Sequence, residues 1–262
     1  MDRLTADDYL ALLASESRRF RDVLADCEPR ARVPACPGWD ASDLAWHLTK
    51  VQAFWAWIVD HRPDPPAGRV APDRPEAYAD VLTAFDEHSA ALQASLTGAD
   101  PGDEAWTWAD DKSVGFVLRR QALEALVHRI DAEQAARADS PLDVRLAADG
   151  VDEMLDVMVG AAPDWASFSP LPHHVRVDIT DADESVWVQL GRVAGTDPDG
   201  THHDDDGLDV VTDPGVEPDA VISGAAAPLL TRLWRRGDGA EIHLAGDLAI
   251  VDRFRQVIRQ PL

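Results

Sequence analysis

The sequence predicts two domains of different class, a helical bundle followed by a small α+β domain. Up to about residue 162, apolar residues recur at intervals of three and four, which indicates amphipathic helices. From residue 163 onward, short segments alternate apolar and polar residues, as half-buried strands do. A length of 262 residues suits two domains of ordinary size. We therefore assign residues 1–162 to the helical domain and residues 163–262 to the α+β domain.

Four long helices and a trailing fifth account for the first domain. Thr5 and Asp8 have the spacing of a capping box at the start of the first helix. Asp40 suits the N-cap of the second helix. Prolines and periodicity place the others: a proline-rich linker at 62–74, a third helix from about Pro75, a fourth over 113–138 and a fifth after Pro141. Four helices of this length form a bundle, and bundles build their sites from inward-facing side chains.

The second domain mixes strands and helices. The strands are expected at 174–180, 185–190, 208–212, 220–223 and 241–244, and the helices at 228–235 and 249–258. Residues 197–206 carry two histidines and several aspartates, and we interpret them as an exposed loop. This order of elements is typical of an α+β domain of about 100 residues.

Charge and composition exclude several classes of partner. The formal net charge is −24, which repels phosphate backbones and anionic membranes, so we expect neither nucleic acid nor membrane as a partner. The first residues carry no basic start followed by an apolar run, and no stretch approaches the roughly 18 apolar residues that span a bilayer. Two cysteines cannot form a disulfide framework. A reducing cytoplasm is therefore the expected location.

Three residues have the pattern of a metal centre. Glu124 and His128 are four residues apart on a predicted helix, so both side chains can reach one ion. His47 lies on the apolar face of another predicted helix and can point into the same core. Two histidines and a carboxylate suit zinc or another divalent first-row metal, and three protein ligands leave one position open, as in catalytic sites. Asp131, one turn beyond His128, can orient that imidazole through a hydrogen bond.

A second interpretation of the same residues stays open at this point. A glutamate four residues before a histidine often arises on helices by chance, as a surface pair. His47 can equally be a core histidine that forms a hydrogen bond within the bundle. Burying all three groups without a partner costs several kcal/mol of desolvation, and a metal ion relieves that cost.

Motifs around these residues resemble a known family. They are residues 33–40 (VPACPGWD) with 42–48 (SDLAWHL), then 124–133 (EALVHRIDAE), and in the second domain 218–224, 233–236 and 244–247. In this order and at this spacing, they resemble the mycothiol-dependent maleylpyruvate isomerase family. The resemblance covers most of the chain, with residues 63–110 and 181–207 uninformative.

The resemblance implies a fold, a metal site and a reaction. The fold is a DinB-like four-helix bundle followed by a small sterol-carrier-like α+β domain. The metal is zinc, held at the positions that match His47, Glu124 and His128. The reaction is cis–trans isomerisation of maleylpyruvate to fumarylpyruvate with mycothiol as the thiol cofactor. A C-terminal arginine is implied to hold the acidic substrate, and the candidates here are Arg232, Arg235 and Arg236.

Three functions compete on this evidence. The first is a mycothiol-dependent enzyme, either an isomerase of a maleylpyruvate-like diacid or a thiol S-transferase, since metal coordination deprotonates a thiol at neutral pH. The second is a non-catalytic module that binds metal and thiol, for which we expect a closed or purely apolar site. The third is a hydrolase that uses zinc-bound water, with Asp131 or Glu133 as the nearby candidate base. The substrate, native metal and oligomeric state do not follow from the sequence.

Overall fold

The computed structural model describes residues 4–160 and 162–260, which form two compact units. The first unit is Leu4–Pro141, and the second begins at Leu142. The sequence-based boundary lies after residue 162, whereas the structure groups the helix Val144–Glu153 with the second unit. The physical reason is packing, because this helix contacts the later helix Ala226–Leu233. No helix among the described residues is long and apolar enough to cross a membrane.

The first unit is a bundle of four long helices, as the periodicity predicts. They are α1 (Ala6–Ala25), α2 (Ala41–Asp60), α3 (Tyr78–Thr97) and α4 (Val114–Ala136). Both predicted N-termini are present: Thr5 and Asp8 form a capping box on α1, and Asp40 forms one with Asp43 on α2. These caps fix where each helix begins and therefore which side chains face inward.

Helix α4 is the central element of the bundle. It packs against both α1 and α2, and almost all of its side chains from Phe116 to Glu133 are buried. Because α4 is covered on several sides, its polar residues must find partners inside the protein. The contact between α2 and α4 brings the helix that carries His47 beside the helix that carries Glu124 and His128.

The second unit is an α+β domain. Helix α5 (Val144–Glu153) continues into a π-helical turn (Met154–Val159). The rest, in chain order, is β1 (Ala166–Ile179), β2 (Glu184–Thr196), β3 (His202–Val211), β4 (Ala220–Gly224), α6 (Ala226–Leu233), β5 (His243–Gly246) and α7 (Leu248–Ile258). The sheet order is β3-β2-β1-β4-β5, antiparallel except for the parallel pair β1–β4. Helix α7 packs on the sheet through β1, β3, β4 and β5.

The acidic segment 197–206 is not a loop throughout, and the interpretation of it as an exposed loop is wrong in its second half. Strand β3 begins at His202, and the ladder between β2 and β3 ends at the pair Thr196 and His202. Arg192 explains this, because its guanidinium forms ion pairs with Asp204 at 2.7 Å and with Asp206 at 2.9 Å. The pairing across the hairpin offsets the repulsion among the aspartates.

Candidate metal centre

His47 is placed by the start of α2. The Asp40 side chain accepts a hydrogen bond from the backbone N–H of Asp43 at 2.9 Å, which fixes the first turn of the helix. His47 follows on the next turns, and its imidazole packs against the indole of Trp39, with ring centroids 4.6 Å apart. The side chain remains 29% exposed. The ring is thus held from one side and accessible from another.

Glu124 and His128 converge on the His47 ring from α4. Glu124 Oε1 lies 3.1 Å from His128 Nε2 and 3.6 Å from His47 Nε2. The two imidazoles meet edge to face, with ring centroids 4.8 Å apart. One ligand atom from each of the three residues lies within 4.8 Å of the others. The structure therefore brings together the three residues that the sequence singles out.

These distances fit one small metal ion. Ligands at about 2.0–2.2 Å in a tetrahedral site lie roughly 3.4 Å from one another. The two separations from Glu124 Oε1 to the histidine Nε2 atoms, 3.1 and 3.6 Å, bracket that value. Two imidazole nitrogens and one carboxylate oxygen form a donor set that suits zinc or a similar first-row metal. Among the residues described, no other group of three histidines, cysteines or carboxylates meets in this way, so His202 and His203 build no second centre.

Two buried charges hold the ligands in place. Asp131 is fully buried, and its Oδ2 accepts a hydrogen bond from His128 Nδ1 at 3.0 Å, which leaves Nε2 facing Glu124. Arg120 is also buried and donates through Nη2 to Glu124 Oε2 at 2.7 Å. Each ligand thus keeps one atom, Nε2 or Oε1, directed at the common point. This support is the kind that orients metal ligands and raises their basicity.

The protonation of the pair reflects the same contacts. Burial raises the pKa of Glu124, but the positive charge of His128 and hydrogen bonds from His128 and His47 outweigh it and hold that pKa well below its usual range. For His128, burial lowers the pKa, but Glu124 and Asp131 outweigh it and raise the pKa to about 9. Without a metal, the carboxylates of Glu124 and Asp131 favour the protonated form of His128. A proton and a divalent cation therefore compete for the same nitrogen.

The three candidate arginines lie in the second unit, and the structure gives each a different environment. Arg235 donates to the backbone oxygens of Arg259 and Gln260. Arg236 donates to the backbone oxygen of Trp234 at 2.7 Å. Arg232 lines a cavity of this unit, as Arg235 does.

Arg120 and Trp39 are parts of the site whose contacts the sequence did not reveal. The signal for Arg120 was present, because an arginine four residues before a glutamate on a helix is a common ion pair. The signal for Trp39 was weaker, since a tryptophan next to an N-cap predicts core packing as readily as contact with a site. Trp39 lies in the motif at residues 33–40, whereas Arg120 precedes the motif at residues 124–133 by one helical turn.

Comparisons with known proteins agree with this architecture. A family model described as the mycothiol maleylpyruvate isomerase N-terminal domain matches residues 10–133, and the model of the corresponding C-terminal domain matches residues 145–253. Two crystal structures of mycothiol-dependent maleylpyruvate isomerase, one of them a point mutant, superpose with TM-scores of 0.61 and 0.60. In each case 13% of residues are identical, and 94% of this chain and 96% of the other are covered. No curated protein sequence matches significantly.

Proposed function

Because the chain belongs to the mycothiol-dependent maleylpyruvate isomerase family, we propose that it is a metal-dependent enzyme that uses mycothiol. Its reaction is the isomerisation of a maleylpyruvate-like diacid or the transfer of the thiol to a small electrophile. The observation that carries this proposal is the convergence of His47, Glu124 and His128 within 4.8 Å. Three protein ligands leave a coordination position for a thiol sulfur.

The side chains around that position have separate tasks. When bound, a zinc-like ion would keep a coordinated thiol deprotonated at neutral pH, and the thiolate is the nucleophilic form. Asp131 keeps the His128 ring in the orientation that ligation needs. Arg120 balances the charge of Glu124 and fixes its carboxylate plane. Trp39 restricts rotation of the His47 ring from the other side.

A zinc-water hydrolase is less well supported, because its two candidate bases are already engaged. Asp131 is fully buried and bonded to His128. Glu133 accepts from Arg19 at 2.9 Å and from Ser140 at 2.5 Å, and its carboxylate also lies 3.8 Å from Arg129. Neither carboxylate is free to take a proton from water at the metal.

A non-catalytic module that binds metal and thiol is also less well supported. That function predicts a closed or purely apolar site. The His47 side chain is 29% exposed and that of Glu124 18%, so the ligand set is accessible. The site also has charged neighbours, Arg120 and Asp131.

We further propose that one of Arg232, Arg235 and Arg236 pairs with a substrate carboxylate, since a guanidinium matches that group in geometry and charge.

The test combines metal analysis with thiol binding. We expect purified wild-type protein to contain about one equivalent of zinc or a similar ion and to bind mycothiol in a calorimetric titration. His47→Ala should lose metal and thiol affinity together. His61→Ala removes an exposed histidine at the end of the same helix, and this matched control should keep both.

A reaction assay completes the test. Maleylpyruvate and a panel of electrophiles, each with mycothiol, should show turnover by the metal-loaded wild type and none by His47→Ala. A wild-type protein that takes up no metal would remove the proposal and both alternatives. If the wild type binds metal but His47→Ala binds mycothiol as tightly as the wild type does, the proposed role of the thiol would be wrong. Binding of mycothiol without turnover of any electrophile would favour the non-catalytic module.

A further inference from the structure

Helix α4 carries a buried amide that the proposed function does not yet use. The side chain of Gln121 is 1% exposed. Neither its Oε1 nor its Nε2 forms a hydrogen bond with any residue of 4–160 or 162–260. Burying an unpaired amide destabilises a folded protein, and most buried polar side chains are therefore hydrogen-bonded. A ligand that binds beside Gln121 and pairs with its amide would explain why this cost is retained.

Helical geometry places this amide on the same side of α4 as the metal ligands. At about 100° per residue, Gln121 lies about 20° around the helix from His128 and about 60° from Glu124. Along the axis it lies about 4.5 Å from Glu124, in the direction of the helix N-terminus. Side chains of one helix lean the same way, so the carboxylate and the amide keep roughly this spacing. The unpaired amide is therefore one helical turn from the candidate metal centre.

One helical turn matches the reach of a thiol that carries a polar group close to its sulfur. A nitrogen on the second carbon from the sulfur is three bonds away, which span roughly 3.5 Å. An acylamino group at that place has an N–H donor and a carbonyl acceptor, and the Gln121 carboxamide has one group to match each of them. An ammonium or carboxylate there would lose its hydration without a counter-charge from Gln121, so an uncharged amide suits this position better.

We propose that Gln121 is a specificity-determining residue that selects thiols with an acylamino group two carbons from the sulfur. Its Oε1 accepts a hydrogen bond from the N–H of the ligand, and its Nε2 donates to an oxygen further along the same ligand. This inference rests on the proposed function, because it requires a thiol sulfur at the metal. It adds the residue that recognises the thiol and the chemical group that is recognised.

Two small thiols that differ in one group test the inference. N-acetylcysteamine has the amide N–H, and 2-mercaptoethyl acetate has an ester oxygen in its place. Titration of the cobalt(II)-loaded full chain, followed by the thiolate-to-cobalt absorption band, measures the affinity of each. We expect the wild type to bind N-acetylcysteamine about tenfold more tightly, by one buried hydrogen bond. Gln121→Met and Gln121→Ala should both lose this preference, so either variant decides the matter if the other fails to fold.

Stability of the metal-free protein gives a second measurement. Because Gln121 has no partner among the described residues, Gln121→Met, which has nearly the same size, should raise the midpoint of urea denaturation. An amide that serves only to hold the bundle together would give the opposite result. A lower midpoint would therefore overturn the inference, because it would mean that the amide is paired within the protein.

Gln52 provides the matched control, since it is also a buried glutamine of the bundle. Its Nε2 donates to Ser17 Oγ at 3.0 Å, and on α2 it lies about 140° around the helix from His47. Gln52→Met should therefore keep the preference for N-acetylcysteamine.

The outcomes separate this inference from the proposed function. If neither thiol produced the absorption band, the proposed function would fail and the inference with it. If both thiols bound the wild type equally, or if the preference survived in Gln121→Met and Gln121→Ala, the inference alone would be wrong. Equal loss of the preference in Gln52→Met would also overturn it, because a general loosening of the bundle would then account for the effect.

Discussion

At the scale of single residues, the candidate metal centre depends on how each proposed ligand is held. His128 has two ring nitrogens, and Asp131 binds one of them, so the other has a defined direction. Glu124 has two oxygens, and Arg120 binds one of them. Sequence spacing paired Glu124 with His128, and the apolar face of α2 added His47 as a candidate, because helical geometry limits which residues share a face. It was not sufficient to find the contacts of Arg120 or Trp39, since these depend on how α2 and α4 are packed.

Replacement of Asp131 tests the orientation of the His128 ring. We expect Asp131→Asn to weaken metal binding about 10- to 100-fold, because the amide removes the negative charge that supports the imidazole. Competition with a chromophoric chelator measures the affinity. Asp60→Asn, at an exposed position on α2, is the matched control and should bind metal as the wild type does. Equal affinity of Asp131→Asn and wild type would show that the hydrogen bond has no role in ligation.

At the scale of elements, the helices were predicted better than the strands. Helical periodicity repeats over many residues, and the capping residues Thr5 and Asp40 marked two helix starts correctly. The strands are longer than alternation indicated, because β1 begins at Ala166 and β3 at His202. In the first half of β3, from His202 to Asp206, the pattern of apolar residues is absent, and cross-strand ion pairs to Arg192 stabilise the pairing there. Such pairs involve residues far apart in sequence, so a local pattern does not reveal them.

The pH dependence of stability tests the role of Asp206 in this hairpin. Burial raises the pKa of Asp206, but hydrogen bonds from Arg253 and Arg192 outweigh it and hold the pKa below its usual value. A lowered folded-state pKa contributes stability above about pH 3.9, and this contribution is lost as the pH falls through the folded-state value. We expect Asp206→Asn to lower the free energy of unfolding at pH 7 by about 1.5 kcal/mol.

Urea denaturation between pH 3 and pH 7 measures this effect. The difference in free energy of unfolding between wild type and Asp206→Asn should narrow below about pH 4, where the carboxylate of Asp206 begins to take up a proton in the unfolded chain. Asp209→Asn, at an exposed position of the same strand, should match the wild type over the whole range. If the difference in free energy of unfolding between wild type and Asp206→Asn stayed constant down to pH 3, the stabilising role of the ionised Asp206 would be wrong.

At the scale of the whole molecule, chain length and the change of periodicity predicted two domains, and the structure has two units whose division falls at residue 142. Propensity identified α5 as a helix but not the unit to which it belongs, because that depends on its packing against α6. Net charge is the other property of the whole chain. At −24 it opposes the approach of anionic molecules over distances up to the Debye length, about 10 Å at 0.1 M salt.

Salt dependence of the proposed reaction tests this effect. For a dianionic substrate, we expect kcat/KM to rise about twofold or more between 10 and 150 mM salt, because screening weakens long-range repulsion. For a neutral electrophile, kcat/KM should stay constant over the same range. Steady-state assays with both substrates at fixed pH measure the difference. A fall in kcat/KM for the dianion would show instead that local positive charge governs its approach.

The ion pair between Arg120 and Glu124 also has a consequence for metal selectivity. With Oε2 bonded to Arg120 at 2.7 Å, Glu124 offers a cation one oxygen and cannot chelate it through both. Calcium requires six to eight oxygen ligands, often including bidentate carboxylates, and magnesium requires about six in an octahedron. A centre with two nitrogens and a single oxygen is therefore poor for both ions. The arginine that neutralises the ligand thus also disfavours cations that require many oxygen ligands.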